Sequence, residues 1–123
     1  MKCASIKESK YEQLVYSILS SLGCRFERQA EISGYEKLAG RKHRYDAIIR
    51  TRRLALEVDG CWYHGCKECF SEPKSWQLQA RRRDTEIDQF TTLLGWRIAR
   101  IKIHDLQVEP KQAVKRALKR SCR

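Results

Sequence analysis

Apolar residues recur at helical spacing in three parts of the chain. Within residues 9–22, one helix face would carry Tyr11, Leu14, Val15, Ile18, Leu19 and Leu22. Ser9 and Glu12 match the S-x-x-E pattern of a capping box, in which the side chain of each residue accepts a hydrogen bond from the backbone N–H of the other. Gly23 then ends the pattern. These features predict an amphipathic first helix.

The second and third helical patterns lie in the C-terminal half. Within residues 77–94 a shared face carries Ile87, Phe90, Thr91 and Leu94, and Gly95 ends the pattern. Near the C-terminus, Pro110 is placed at the start of a helix, where its missing N–H costs nothing. The inward face of this last helix would carry Ala113, Val114, Ala117 and Leu118, with Lys and Arg outside.

Four segments have the short, β-rich character of strands: residues 24–32, 43–50, 53–60 and 96–103. The brief separation between the second and third predicts a hairpin. A basic loop with Gly34 and Gly40 as breakers precedes the hairpin, and residues 61–76, which include Pro73, show no periodicity and are predicted as a loop.

The predicted order is therefore α–β–β–β–α–β–α. This order indicates one α/β domain over residues 1–123, with a central mixed sheet flanked by helices. A small α+β domain with the same elements is the alternative.

Charge narrows the class of partner. The 123 residues include 26 Lys and Arg against 15 Asp and Glu, a formal net charge of +11. Such an excess of positive charge destabilises a folded chain through repulsion unless a polyanion neutralises it. Nucleic acid is the commonest polyanion. A ribosomal protein and a membrane-surface protein are the alternatives. The polar start of the chain and the lack of a long apolar run predict neither a signal peptide nor a membrane span.

Three of the six cysteines crowd into nine residues: Cys61, Cys66 and Cys69. Thiolates at this spacing suit a structural zinc ion, which needs four ligands, and His64 or His104 would supply the fourth. Free thiols are the alternative. The dispersed Cys3, Cys24 and Cys122 are interpreted as ordinary thiols.

Acidic residues occur inside the otherwise apolar hairpin. Glu57 and Asp59 are two apart on one strand and so point to the same face, and Asp46 on the neighbouring strand can come alongside. Converging carboxylates repel one another unless a cation lies between them, and oxygen ligands select Mg²⁺ or Mn²⁺. The alternative is a set of solvated charges paired with arginines.

Two further groups of residues suit contact with nucleic acid. Trp62 and Tyr63 either plug the core or stack on bases. The basic clusters, which are either solvated faces or phosphate contacts, are Arg41, Lys42 and Arg44; Arg50, Arg52 and Arg53; Arg81, Arg82 and Arg83; and Lys115, Arg116, Lys119 and Arg120.

Several motifs together resemble one family. They are S-K-x-E at 9–12, Y-D at 45–46, E-V-D-G-C-W-Y-H-G-C at 57–66, R-R-D at 82–84 and G-W-R-I-A-R-I at 95–101. From Ser9 to His104 the chain resembles the very short patch repair endonucleases and their phage and homing relatives, within the PD-(D/E)XK nuclease superfamily.

The resemblance implies roles at the acidic residues. Asp46 and Glu57 match the two metal-binding acids of the superfamily, and the carbonyl of Val58 matches an additional metal ligand. Asp59 stands where the superfamily has lysine and the repair enzymes have histidine, so its role departs from the pattern. Glu12 matches an acid that can hold metal-bound water, beside its role in the capping box.

The resemblance also implies roles for residues of the cysteine-rich segment. His64 matches a catalytic histidine, and Trp62 and Tyr63 match aromatic side chains inserted beside the target base pair. The zinc ligands implied are Cys61, Cys66, Cys69 and His104.

The function expected is a Mg²⁺- or Mn²⁺-dependent DNA endonuclease with structural Zn²⁺, which nicks one strand in DNA repair or in phage or mobile-element DNA processing. We expect it in the cytoplasm of a bacterial or phage-infected cell, at the nucleoid, acting alone, as a homodimer or with a targeting protein. The alternative is a catalytically degenerate, zinc-stabilised protein that binds nucleic acid. An RNA-binding zinc ribbon is a third interpretation, but a ribbon has no use for the acids.

Overall fold

The computed structural model describes residues 9–60, 72 and 74–119. Its strands are β1 (Glu27–Ala30), β2 (Tyr45–Ile49), β3 (Leu54–Asp59) and β4 (Arg97–Lys102). Its α-helices are α1 (Lys10–Ser21), α2 (Tyr35–Ala39), α3 (Ser75–Leu93), α4 (Ile103–Val108) and α5 (Pro110–Lys119). The prediction of a mixed α/β architecture with helices around a sheet is confirmed.

The strands form one sheet in the order β1-β2-β3-β4. The predicted hairpin is present: β2 pairs antiparallel with β3, with Ala47 opposite Leu56, through a 3₁₀ turn at Arg50–Arg52. β3 pairs with β4 in parallel, with Glu57 opposite Arg100. The start of β2 and the ends of β3 and β4 therefore meet at one edge of the sheet.

Helices cover both faces of the sheet, which explains why β2 and β3 are apolar almost throughout. On one face, α1, α4 and α5 bury a cluster that includes Tyr16, Leu19, Leu56, Leu106 and Val114. On the other face, α2 and α3 bury the cluster Ile32, Tyr35, Tyr45, Ile48, Ala55 and Ile87.

The predicted starts of α1 and α5 and the inward face of α5 agree with the structure, whereas the predicted face of α1 omitted the buried Tyr16. Ser9 caps α1, where its side chain and that of Glu12 form the expected reciprocal capping box. Pro110 is the first residue of α5, whose buried residues are the four predicted: Ala113, Val114, Ala117 and Leu118.

Two short helices were not predicted. α2 lies inside the segment predicted as a basic loop, between Gly34 and Gly40, whose φ angles of 92° and 86° suit glycine. Five residues are too few to show a helical period, and the helix is anchored by the burial of Tyr35 against Phe90, with ring centroids 5.9 Å apart. α4 likewise replaces the end of the predicted fourth strand, so that His104 lies on a helix.

The remaining boundary differences are small, except in the segment after β3. The predicted first strand is shortened to Glu27–Ala30, and Gln29 within it has a φ of 49°. Most of the predicted loop 61–76 lies outside the described residues, and α3 already begins at Ser75. No helix of the described residues has the length and apolarity to cross a membrane.

Candidate active site

Two acidic side chains meet at the sheet edge where β2 begins and β3 ends. Asp46 is the second residue of β2 and Glu57 is the fourth of β3. Their carboxyl groups interact through a side-chain hydrogen bond and through their charges. The antiparallel hairpin thus brings together two of the three acids that the sequence predicted to converge.

Asp46 takes part in the pairing of the two strands. Its Oδ2 accepts a hydrogen bond from the N–H of Val58 at 2.6 Å. Its own carbonyl accepts from the hydroxyl of Tyr16 at 2.7 Å, so that α1 fixes the backbone from the opposite face. Burial and the neighbouring charge of Glu57 raise the pKa of Asp46 to about 7, although the Val58 hydrogen bond acts in the other direction.

Glu57 is the more deeply buried of the pair, with 9% of its surface exposed. Burial raises its pKa to about 8; the positive charge of Arg100 acts against this rise, and the negative charge of Asp59 adds to it. Nε2 of His43 lies 2.6 Å from Oε2 of Glu57. A buried carboxyl with a pKa near neutrality is common at functional sites.

His43 is a candidate site residue that the sequence did not reveal. Its ring packs edge-on against Tyr45, with centroids 4.5 Å apart, and tilted against Tyr35 at 5.7 Å. Burial and the charge of Arg100 lower the pKa of His43, so that its imidazole is neutral at physiological pH. The only signal in the sequence is a histidine three positions before Asp46, which no known spacing rule connects to a carboxylate on the next strand.

Asp59 is held by a second residue that sequence reasoning did not single out, Arg100. The guanidinium contacts Asp59 at 3.2 Å, Asp88 at 2.7 Å and Asp84 at 3.6 Å. Burial acts to lower the pKa of Arg100, but the hydrogen bond to Asp88 and the charges of the other carboxylates outweigh it and raise the pKa. The third predicted acid therefore faces a cation supplied by the protein.

The oxygen atoms at this edge fit a hard divalent cation. Among residues 9–60, 72 and 74–119, no three His, Cys, Asp or Glu side chains are arranged as a complete metal site. Asp46 and Glu57, however, present one partly buried and one buried carboxyl whose mutual repulsion a cation would offset, and carboxylate oxygens select Mg²⁺ or Mn²⁺ rather than zinc. The pair would supply part of a coordination sphere, as is usual for Mg²⁺, which keeps several waters.

Glu12 connects to this edge indirectly. Its Oε1 lies 3.3 Å from the N–H of Ser9 and 3.3 Å from Nε2 of Gln29. Nε2 of Gln29 is 3.5 Å from the hydroxyl of Tyr16, the group that holds the carbonyl of Asp46. The capping role of Glu12 is therefore present in the structure, together with a chain of contacts that leads to Asp46.

Two of the predicted basic clusters, residues 41–44 and 81–83, include side chains close to His43. Arg41, Lys42, Arg44, Arg82 and Arg83 are exposed, whereas Arg81 is partly buried. Nη2 of Arg81 is buried without a hydrogen-bond partner within the described part of the molecule. A cavity of about 210 Å³ is lined by Arg41, Lys42 and Arg83, with His43 and Phe90 in its wall.

Several predicted site residues fall in the segment between β3 and α3. Cys61, Trp62, Tyr63, His64, Cys66 and Cys69 lie outside the described residues. His104, the predicted fourth zinc ligand, is described: it lies in α4, with its Nε2 3.4 Å from Oδ1 of Asp105. Of the four predicted zinc ligands, His104 alone thus lies among the described residues.

Comparison with known proteins gives one informative match. No family model matches the chain. A type II nicking enzyme from Lentzea aerocolonigenes, V.NaeI, is 29% identical over 104 residues, a stretch that covers 79% of this chain and 61% of the relative. The chain is thus a distant relative of a nicking enzyme and spans about three fifths of that protein's length.

Proposed function

We propose that the protein is a metal-dependent DNA endonuclease that cuts one strand of a duplex. The observation that carries the proposal is the pair of carboxyls of Asp46, which is partly buried, and Glu57, which is buried, close to a cavity lined by the exposed Arg41, Lys42 and Arg83. The similarity to a type II nicking enzyme supports the same conclusion from an independent direction.

In this proposal, Asp46 and Glu57 hold Mg²⁺ or Mn²⁺, with the carbonyl of Val58 as a further ligand. A bound ion of this kind supplies positive charge that polarises a phosphoryl oxygen and activates water for attack. His43 fixes the carboxylate of Glu57, and Arg100 fixes that of Asp59. His64 serves as the acid or base for the leaving oxygen, as the family resemblance implies.

The basic surface binds the DNA backbone. Arg41, Lys42 and Arg83 line one cavity beside His43, so that phosphates bound there would lie next to the acidic pair. Arg81, which is partly exposed, is a further phosphate contact in this proposal. Trp62 and Tyr63 provide stacking side chains, as the family resemblance implies. One chain carries one acidic pair, and a nick is the product expected from one site.

We further propose that Cys61, Cys66, Cys69 and His104 bind structural Zn²⁺. The support is the spacing of the three thiols and the position of His104 directly after β4. Such an ion would fasten the segment after β3 to the end of the sheet.

The test of nuclease activity is conversion of supercoiled plasmid to open circles with Mg²⁺. Asp46→Asn and Glu57→Gln should each lower the rate at least ~100-fold, the upper end of what loss of a supporting contact at a metal site costs. Glu109→Gln, just before α5 and paired with Arg116 on that helix, is the matched control and should nick like the wild type. Equal nicking by all four proteins would refute the proposal.

A second function is favoured by one observation, the ion pair between Asp59 and Arg100. Asp59 holds the position at which the superfamily has lysine, so the positive charge there is absent and Arg100 is engaged by carboxylates. A degenerate nuclease fold that only binds nucleic acid would retain salt-sensitive DNA binding. It would leave plasmid intact with Mg²⁺, Mn²⁺ and every other divalent ion tried.

A further inference from the structure

We propose that His43 is a positioning residue, which selects the oxygen of Glu57 that coordinates the divalent ion. The inference rests on the proposed function and extends it to a residue that neither the family resemblance nor the sequence pattern includes. The supporting geometry is the 2.6 Å contact between Nε2 of His43 and Oε2 of Glu57.

The contact fixes how the carboxylate can be used. A carboxylate that binds a cation is deprotonated and can only accept hydrogen bonds, so His43 must present Nε2–H to it. One lone pair of Oε2 is then taken by the imidazole, which leaves Oε1 as the less encumbered oxygen for the ion. Glu57 would therefore bind the ion through one oxygen, in an orientation set by His43.

The imidazole is itself held in place. The ring of Tyr45 meets it edge-on, and that of Tyr35 lies beyond at a tilt. Tyr45 is fully buried and its hydroxyl is 2.6 Å from that of Thr91 on α3, so the side of the sheet that carries His43 is anchored to a helix. A donor fixed in this way limits Glu57 to few orientations and reduces the entropy lost when an ion binds.

A role in folding alone would not require this arrangement. The His43 side chain is 22% exposed, and that of Glu57 11%. Loss of the contact with His43 would leave the Glu57 carboxylate free to rotate, so that the direction of its ligand oxygen would no longer be fixed. Groups that hydrogen-bond to metal-binding carboxylates commonly contribute 10–100-fold to metal affinity or activity, as an order of magnitude.

The experiment measures Mn²⁺ binding to the full chain, without DNA, by electron paramagnetic resonance and calorimetry. We expect His43→Ala to weaken Mn²⁺ binding ~10–100-fold. His43→Gln should recover most of the affinity, because the glutamine amide nitrogen occupies nearly the position of Nε2. His43→Asn places its amide nitrogen too near the backbone and should bind as weakly as alanine.

Two controls separate positioning from stability. Val114→Ala truncates a fully buried side chain of α5 on the opposite face of the sheet, and should lower stability without changing Mn²⁺ affinity. Asp46→Asn should abolish specific Mn²⁺ binding. In nicking assays, raising the Mg²⁺ concentration should restore most of the rate to His43→Ala but not to Asp46→Asn.

The outcomes are distinct. Wild-type Mn²⁺ affinity in His43→Ala, with binding abolished in Asp46→Asn, would overturn the role of His43 and leave the proposed nuclease intact. Equal affinity of the glutamine and asparagine variants would also overturn it. Absence of Mn²⁺ binding by the wild type would remove both the positioning role and the metal-dependent function.

Discussion

The guanidinium of Arg100 bonds the carboxylate of Asp59 across the parallel β3–β4 pair, with 3.2 Å between Nη1 and Oδ1. The same side chain reaches Asp84 and Asp88 on successive turns of α3. One cation therefore ties the end of β3 to the helix that carries the basic residues 81–83. Asp59 is thus neutralised from within the protein.

Replacement of Arg100 by a neutral residue should lower the free energy of unfolding. Arg100→Met keeps much of the side-chain volume but leaves three carboxylates without their partner, and breaking such a partly buried network costs about 3 kcal/mol of unfolding free energy. Arg116→Met is the control, because Arg116 pairs with Glu109 at 2.8 Å on an exposed surface, where a pair contributes less than about 1 kcal/mol. Urea unfolding of the two variants should separate these losses; similar values would show that the network adds nothing.

The acidic pair should make metal-free stability fall as pH rises. The folded-state pKa values of about 7 for Asp46 and about 8 for Glu57 lie above the ordinary values of 3.8 and 4.5. The unfolded chain therefore loses these protons at lower pH than the folded protein does. The stabilisation from these groups is complete below about pH 4 and is lost as pH rises towards about 8.

Urea unfolding without added Mg²⁺ or Mn²⁺ measures this effect. The stability of the wild type relative to Asp46→Asn should decline between acidic and mildly alkaline pH, since the amide does not titrate. Added Mg²⁺ should stabilise the wild type more at alkaline than at acidic pH. A relative stability that is flat or rises with pH would contradict the assigned pKa shifts.

Much of the framework was predictable because its signals are local. The capping box at Ser9 and Glu12, the inward residues of α5 and the hairpin of β2 and β3 follow from spacing within short segments. The approach of Asp46 to Glu57 was predictable for the same reason, because the hairpin joins neighbouring strands.

The residues that sequence reasoning missed depend on long-range packing. His43 precedes β2 and contacts Glu57 only because α2 and Tyr35 fold back beside it. In the sequence, Arg100 is one of many basic residues. Its role depends on the parallel pairing of β4 with β3, which places it opposite Glu57 and beside α3. No period or motif in one chain encodes such contacts.

Glu12 has two assigned roles that a pair of variants can separate. Glu12→Gln preserves the capping box, since glutamine also fits its last position, and should leave unfolding free energy unchanged. Glu12→Ala should cost about 1 kcal/mol. If the carboxylate also supports the metal site through Gln29 and Tyr16, Glu12→Gln should still lower the nicking rate by at least ~10-fold. Wild-type nicking by this variant would confine Glu12 to the cap.

The cavity beside His43 should contribute to DNA affinity without base selectivity. Lys42→Ala and Arg83→Ala, which each remove one cation from its lining, should each reduce the slope of log affinity against log salt by about 1. Arg116→Ala on α5 should leave the slope unchanged. Fluorescence anisotropy over a salt series gives the slopes, and equal effects of all three variants would argue against a phosphate contact here.

The zinc prediction can be checked by metal content and stability together. Purified protein should contain stoichiometric zinc, and Cys66→Ser or His104→Ala should lose zinc and several kcal/mol of stability, because a structural zinc contributes folding free energy. Cys24→Ser is the control, since Cys24 is a free thiol packed beside the core. Full zinc content in His104→Ala would exclude this histidine as the fourth ligand.

The mixed pairing of the sheet has a consequence for how the molecule assembles. β2 and β3 are joined by a tight turn, so they can pair early in folding. β4 pairs with β3 across a much longer stretch of chain that includes α3, and we expect this pairing to form later. The carboxylates of Asp46 and Glu57 would therefore come together before Arg100, whose positive charge reduces their repulsion, is in place. Variants that weaken the docking of β4 should accordingly slow refolding, and divalent ions present during refolding should accelerate it.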